Sequence, residues 1–359
     1  MRKTLSSIFL VAMCLAATAC STNGSGDDDD IGDDDGGGGR PGFTDGVSTL
    51  GGGGEAGFLD GNRQVNLFNN PVNVAVAADG TVFVADFDNN KIRALDAEGN
   101  ATTVIDKQGF QRPFGMAFAK DGTLFVSTDN DPNGGHSDMS GTVWAVNVTA
   151  KTATPIAVSI GRPRSLAVLA DGRLVAADNL HHVIEFIDTR TGTVAPLAGT
   201  WGAKGMVDAN GATARFATPY GIAQASDGTL VVCDFENNRL RVVTLTGGVS
   251  TLAGTVSGFA DGAMTTAQFN HPQAIVKAPN GDLFVTDIDN FRIRKVSGGT
   301  ITTVAGSGTD GYRDSDDLLA AEFHGLEGIG INSSGTMLFV ADGTRGEDVS
   351  FNRVRQVEL

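Results

Sequence analysis

Cysteine is scarce in this chain of 359 residues: three are present, and two of them, Cys14 and Cys20, fall in the first twenty positions. That leaves Cys233 alone in the body, so no disulfide partner exists there and a disulfide framework is excluded. Cys233 sits in the apolar run LVVCDF and reads as a small buried hydrophobe. Histidine is also sparse. His136, His181, His182, His271 and His324 occupy no common position, which argues against a histidine-rich zinc centre. Two tryptophans and two tyrosines are few for a carbohydrate platform. Positive charge is short too, at 26 Lys and Arg against 42 Asp and Glu, a formal net charge of −16. Such a balance repels phosphate backbones, so no nucleic acid partner is expected, although recurring arginines leave room for a local basic face. The longest apolar run near the start, Leu5 to Leu15, is too short to span a bilayer as a permanent helix.

That run has another use. Arg2 and Lys3 precede it, and small residues Ala17, Thr18 and Ala19 follow it before Cys20, the three parts of an export signal. Residues 1–19 are read as a signal peptide. The segment resembles a bacterial lipoprotein leader, with Ala17 where leucine is usual. The resemblance implies lipidation of Cys20 and, with Ser21 next, an outer-membrane lipoprotein of the cell envelope. If Cys20 is not lipidated, the protein is secreted. Residues 20–45 hold eight aspartates, seven of them in two runs, among many glycines, a composition that reads as a self-repelling linker. The membrane is then met through the lipid anchor only.

Residues 46–359 repeat one pattern six times. Each unit begins with a short alternating segment and turns at Asp79-Gly80, Asp121-Gly122, Asp171-Gly172, Asp227-Gly228, Asn280-Gly281 or Ser334-Gly335. A β-branched run such as TLVVCD follows, then a polar turn, a third strand such as NNRLRVV and a fourth ending in TLAG. Four antiparallel strands per unit make an all-β chain and a six-bladed β-propeller. The ends are complementary. GVSTLGGGGEAGF at Gly46 matches GVSTLAGTVSGF at Gly248, an outer strand without its blade, while the last unit stops at its third strand. The N-terminal strand is expected to close the last blade. Pro-x-Gly-Ile-Ala, Asp-Gly, Phe-Val-x-Asp and Asn-x-x-Ile-Arg elements together resemble the NHL repeat. The aspartates Asp86, Asp178, Asp234, Asp287 and Asp342, with Thr128 instead in the second unit, read as turn caps. Four inter-blade loops share Asp60, Asp208, Asp261 and Asp314, read as structural turns.

Within the repeat, the residue before the Gly of Pro-x-Gly is not fixed. This column holds Val72, Phe114, Arg164, Tyr220, Gln273 and Glu327 and is expected at the mouth of the central channel. Phe114, Arg164, Tyr220, Gln273 and Glu327 mix aromatic faces with polar groups, as in a ligand pocket; a solvated mouth with an Arg–Glu pair is the plain alternative. Two functions follow. One is a binding or scaffold module for proteins or peptides. The other is a metal-dependent hydrolase or lyase with Arg164, Tyr220 and Glu327 catalytic. NHL-type lyases of peptidyl-hydroxyglycine place histidines in this ring, and the chain has none there. Gluconolactonase-like and paraoxonase-like propellers hold calcium in the channel, where Glu327 and Asn73 would begin a site. A second calcium candidate is the swollen turn of the second unit: Asp129, Asp131, Asn133 and Asp138 begin like a D-x-D-x-N-G loop but lack the closing glutamate. The alternative is a loop capped by its own Asx turns.

Overall fold

The computed structural model describes residue 43, residues 45–347 and residues 349–359. The leader, Cys20 and nearly all of the expected linker lie outside the described residues. Six antiparallel sheets follow one another around a ring, and their first strands pack in a closed circle. Blade 1 holds Pro71–Val76, Val82–Asp86, Lys91–Leu95 and Ala101–Ile105. Blade 2 starts at Pro113–Phe118, blade 3 at Pro163–Val168, blade 4 at Pro219–Gln224, blade 5 at Pro272–Lys277 and blade 6 at Leu326–Ile331. Blade 5 gains a two-residue fifth strand, Gly262–Ala263, on its outer edge. Closure follows the expectation from the two chain ends. Val47–Gly54 pairs with Asn352–Glu358 in blade 6, with Val47 opposite Val357. The edge that the last strand would otherwise expose is thereby covered.

The Asp-Gly turns hold in a different conformation from a doubly left-handed hairpin. Only the glycine is left-handed, as at Gly80 (φ 91°) and Gly228 (φ 87°). The preceding Asp79 instead accepts the N–H of Thr81 on Oδ1 at 3.0 Å, and Asp227 does the same for Thr229. This is an Asx-capped turn ending in a left-handed glycine; in the last unit, where Ser334 precedes the glycine, Asn332 Oδ1 accepts the N–H of Thr336 instead.

The inner ring alternates small and larger residues. A Cβ on Gly328 would stand 2.5 Å from Cα of Asn73, on Gly221 2.7 Å from the carbonyl O of Gln273, and on Gly115 3.1 Å from Cα of Ser165. Glycines in blades 2, 4 and 6 thus receive Asn73, Ser165 and Ala274 of blades 1, 3 and 5. The Pro-x-Gly element is a packing rule for the ring rather than a ligand motif.

In four of the six blades a buried arginine ties the sheet to the loop before it. Arg93, Arg241, Arg294 and Arg355 are wholly buried in the third strands of blades 1, 4, 5 and 6. Each pairs with its blade aspartate, as Arg93 Nη1 with Asp86 Oδ2 at 3.0 Å and Arg355 Nη1 with Asp342 Oδ2 at 2.9 Å. Each also holds the loop aspartate at 2.6 Å: Asp60, Asp208, Asp261 and Asp314 in turn. The second oxygen of that loop carboxylate accepts a backbone N–H of the outer strand, from Thr103, Thr251, Thr303 or Thr49. The loop aspartates are therefore clamps, not merely turn residues, and the recurring arginines of these four blades build no basic face. The blade aspartates do cap backbone, as Asp234 accepts the N–H of Ala217 at 2.7 Å, but with one oxygen only.

Blades 2 and 3 lack this clamp. Trp144 takes the arginine's place in blade 2 and donates its Nε1–H to Thr128 at 2.8 Å, so the missing aspartate and the missing arginine compensate each other. Glu185 takes it in blade 3. Opposite both stands a proline, Pro155 or Pro196, where the clamped blades have their threonine N–H.

Candidate functional site

The first strands converge on a channel cavity of about 380 Å³ lined by Phe114, Arg164, Tyr220, Gln273 and Glu327. Val72, of the same column, is buried in the core beside Phe114. The column read from the sequence thus comes together at the cavity, apart from Val72. Arg164 does not pair with Glu327. It forms a two-point contact with Asp129, Nη1 to Oδ1 and Nη2 to Oδ2, both at 3.1 Å. Its guanidinium lies 4.2 Å over the ring of Phe114. Its Nε is buried without an acceptor among the described residues.

A second column shares this end of the channel, and sequence reasoning passed over it. The residue after each blade aspartate, or after Thr128, is Phe87, Asp129, Asn179, Phe235, Ile288 or Gly343. Because each strand pair sets the proline of the first strand opposite the aspartate of the second, as Pro71 with Asp86, the next residue emerges beside the mouth. Phe87 meets Phe114 edge-on at 6.0 Å, Tyr220 lies 6.2 Å from Phe114, and Phe235 5.0 Å from Tyr220. His271 then stacks on Phe235 at 4.4 Å. Variation in that column, right after a repeated aspartate, was the available signal.

Glu327 is nearly buried. Its Oε1 accepts the backbone N–H of Arg345 at 3.0 Å, and the Nε2 of Gln273 donates to its carbonyl at 3.4 Å. Burial raises its carboxyl from 4.5 to about 7, against the N–H of Arg345 and the charges of Arg164 and Arg345. Burial also raises the Tyr220 phenol. Arg345 and His271 both pair with Asp289 beside it.

The calcium candidates do not converge. The Asp129 carboxylate is engaged with Arg164, Asp131 accepts the N–H groups of Asn133 and Gly135 at 2.7 and 2.9 Å, and Asp138 is exposed. Asn73 Oδ1 accepts the N–H of Val74. Among the described residues no group of three His, Cys, Asp or Glu side chains is placed to share one ion. The swollen turn carries an Asx turn at Asp131, and it delivers Asp129 to the mouth. Cys233 is fully buried and its thiol is pushed far up by burial, as expected of a packing residue.

Known proteins agree with this architecture. The family model for the NHL repeat matches residues 216–243, the first three strands of blade 4. NHL repeat-containing protein 2 of Bos taurus is 28% identical over 291 residues, covering 77% of this chain. The chain spans only 38% of that relative's length. An auxiliary nutrient binding protein from Bacteroides ovatus has a similar solved structure, with TM-score 0.66, 18% identity, and coverage of 88% of this chain and 76% of that one. A virginiamycin B lyase from Staphylococcus aureus is similar at TM-score 0.50 and 16% identity, over 80% of this chain and 79% of that one. At these identities the solved structures speak for the fold alone. Six antiparallel blades closed in a ring make this chain a six-bladed β-propeller, and residues 216–243 of it match the NHL repeat.

Proposed function

We propose that the chain is a cell-envelope lipoprotein, anchored through Cys20, whose propeller binds protein or peptide segments at the channel mouth. The observation carrying this reading is Arg164. It is fixed by Asp129 and Phe114, yet keeps a buried Nε–H without an acceptor beside an arc of Phe87, Phe114, Tyr220 and Phe235. A peptide carbonyl or carboxylate supplies the acceptor, and the aromatic faces take side chains. Among the described residues no helix is long and apolar enough to cross a membrane. The name of the Bacteroides ovatus protein is compatible with a binding role, through fold only.

A hydrolase or lyase is the second reading. Glu327 favours it, because a mouth carboxyl titrating near 7 suits general acid–base work. One experiment separates the two. Peptides are selected from a random display library on the immobilised full chain. The binding reading expects peptides whose affinity falls roughly tenfold or more in Arg164→Ala and Tyr220→Ala, about 1.4 kcal/mol. Failure to recover any peptide sensitive to these changes overturns it. Turnover of lactone or ester substrates that Glu327→Gln abolishes would establish the enzyme instead.

A further inference from the structure

Blade 3 is built for a guanidinium that it does not contain. In blades 1, 5 and 6 the buried arginine is sandwiched between two rings, one exposed and one buried: Arg93 between Phe58 and Phe68, Arg294 between Phe259 and Phe269, Arg355 between Tyr312 and Phe323, all at 4.9–5.2 Å. Two carboxylates face each guanidinium. In blade 3 the arginine position holds Glu185, and Pro196 stands opposite where no loop carboxylate needs an N–H. The third-strand residue and the blade aspartate Asp178 are thus both acids, with no cation between them.

The space is open rather than filled. Blade 2 fills its own with Trp144, which is 1% exposed. Between blades 2 and 3 a cavity of about 400 Å³ is lined by Met139, Val158, Ile160, Glu185, Val194 and Trp201. Glu185 is 6% exposed, and its carboxylate has no hydrogen bond or ion pair among the described residues. Asp178 adds negative charge behind it and is itself occupied by His181, Nδ1 to Oδ2 at 2.7 Å. The rim is apolar and wet: Met139, Val158 and Trp201 are each 44–50% exposed. Trp201 is held in place by stacking on His181 at 3.8 Å. A buried, unpaired carboxylate under an aromatic rim is complementary to a planar cation on an apolar stem.

The geometry points to a rim pocket, separate from the channel mouth, that receives an arginine side chain from a protein or peptide partner. The guanidinium takes the place held by Arg93, Arg294 and Arg355 in the other blades: Glu185 accepts its N–H groups and the indole of Trp201 covers its face. Citrulline has the same shape without the charge, so it discriminates recognition of the cation from apolar contact. The specificity therefore comes from Glu185, and the rim contributes area.

The test titrates the full chain with acetyl-Gly-Arg-Gly-amide and with its citrulline counterpart, reading tryptophan emission, since Trp201 is exposed and Trp144 is buried. A saturable change with the arginine peptide alone is expected. Glu185→Gln should weaken it roughly tenfold or more, while Tyr220→Ala at the channel mouth leaves it unchanged. Calorimetry on Trp201→Ala, a substitution at an exposed site, should show the same loss in a protein whose melting is unaltered. No saturable response, equal response to citrulline, or an undiminished affinity in Glu185→Gln overturns the proposal. Failure of peptide selection at the channel mouth leaves this pocket unaffected.

Discussion

Several buried carboxyls couple this protein's stability to pH: Asp86 and Asp287, raised by burial to about 6, and two glutamates. Glu185 and Glu327 both titrate near 7 rather than 4.5, chiefly because burial disfavours their charge. The folded state therefore holds their protons more tightly than the unfolded chain. Their contribution to stability is complete below about pH 4.5 and is lost as pH rises to about 7. For Glu185 the neighbour that bears on this is Asp178, whose charge adds to the upward shift. Glu185→Gln should thus stabilise the protein at pH 8 by about 1–3 kcal/mol and leave it little changed at pH 5. Thermal melting at both pH values checks this; equal effects at the two would contradict it. At the same scale, Arg241→Ala should cost about 3–5 kcal/mol, because it strands the buried Asp234 without its cation. A melting point lowered by less than a few degrees would show that the clamp carries little energy.

At the level of the blade, the unit is a sheet plus the loop that precedes it. The sequence displays both halves of the clamp, Asp60 with Arg93 or Asp314 with Arg355, yet some 33 to 41 residues separate them. Nothing in their spacing links them, since only the folded third strand aims the guanidinium back at the loop. The same holds for Pro155 and Pro196. As isolated residues they look like strand breakers; in register they mark the two blades whose outer strand owes no N–H to a loop carboxylate. The Pro-x-Gly column was legible as variable, and five of its residues do line the channel. The pairing of Arg164 with Asp129 was not, because Asp129 opens the expanded turn of blade 2, whose pattern imitates a calcium loop.

Taken as a whole, the ring depends on its seam. Blade 6 draws three strands from the C-terminal end and one from Val47–Gly54, and Asn352 reaches across to donate its Nδ2–H to the carbonyl of Gly54 at 2.9 Å. Asn70 of blade 1 is joined at the same seam, its N–H donated to Asn352 Oδ1 at 2.6 Å. Deleting residues 46–54 should expose the edge of Asn352–Glu358 and uncover the core residues clustered with Val47 and Leu50, among them Val357 and Val354. The deleted protein is expected to aggregate or elute as oligomers in size-exclusion chromatography. A monomer with unchanged melting would show that closure is dispensable.

Repetition let the sequence by itself determine the strand count, the six blades and the closing strand. A repeated pattern reports a local demand, the period of a strand or the φ of a turn, and it reports it six times. What the repeat leaves free is different in kind. Whether Glu185 faces a cation or a cavity, and which arginine Asp129 meets, depends on side chains brought together from separate strands and loops. Those meetings are set by strand register and by neighbouring blades, so only the tertiary structure decided them.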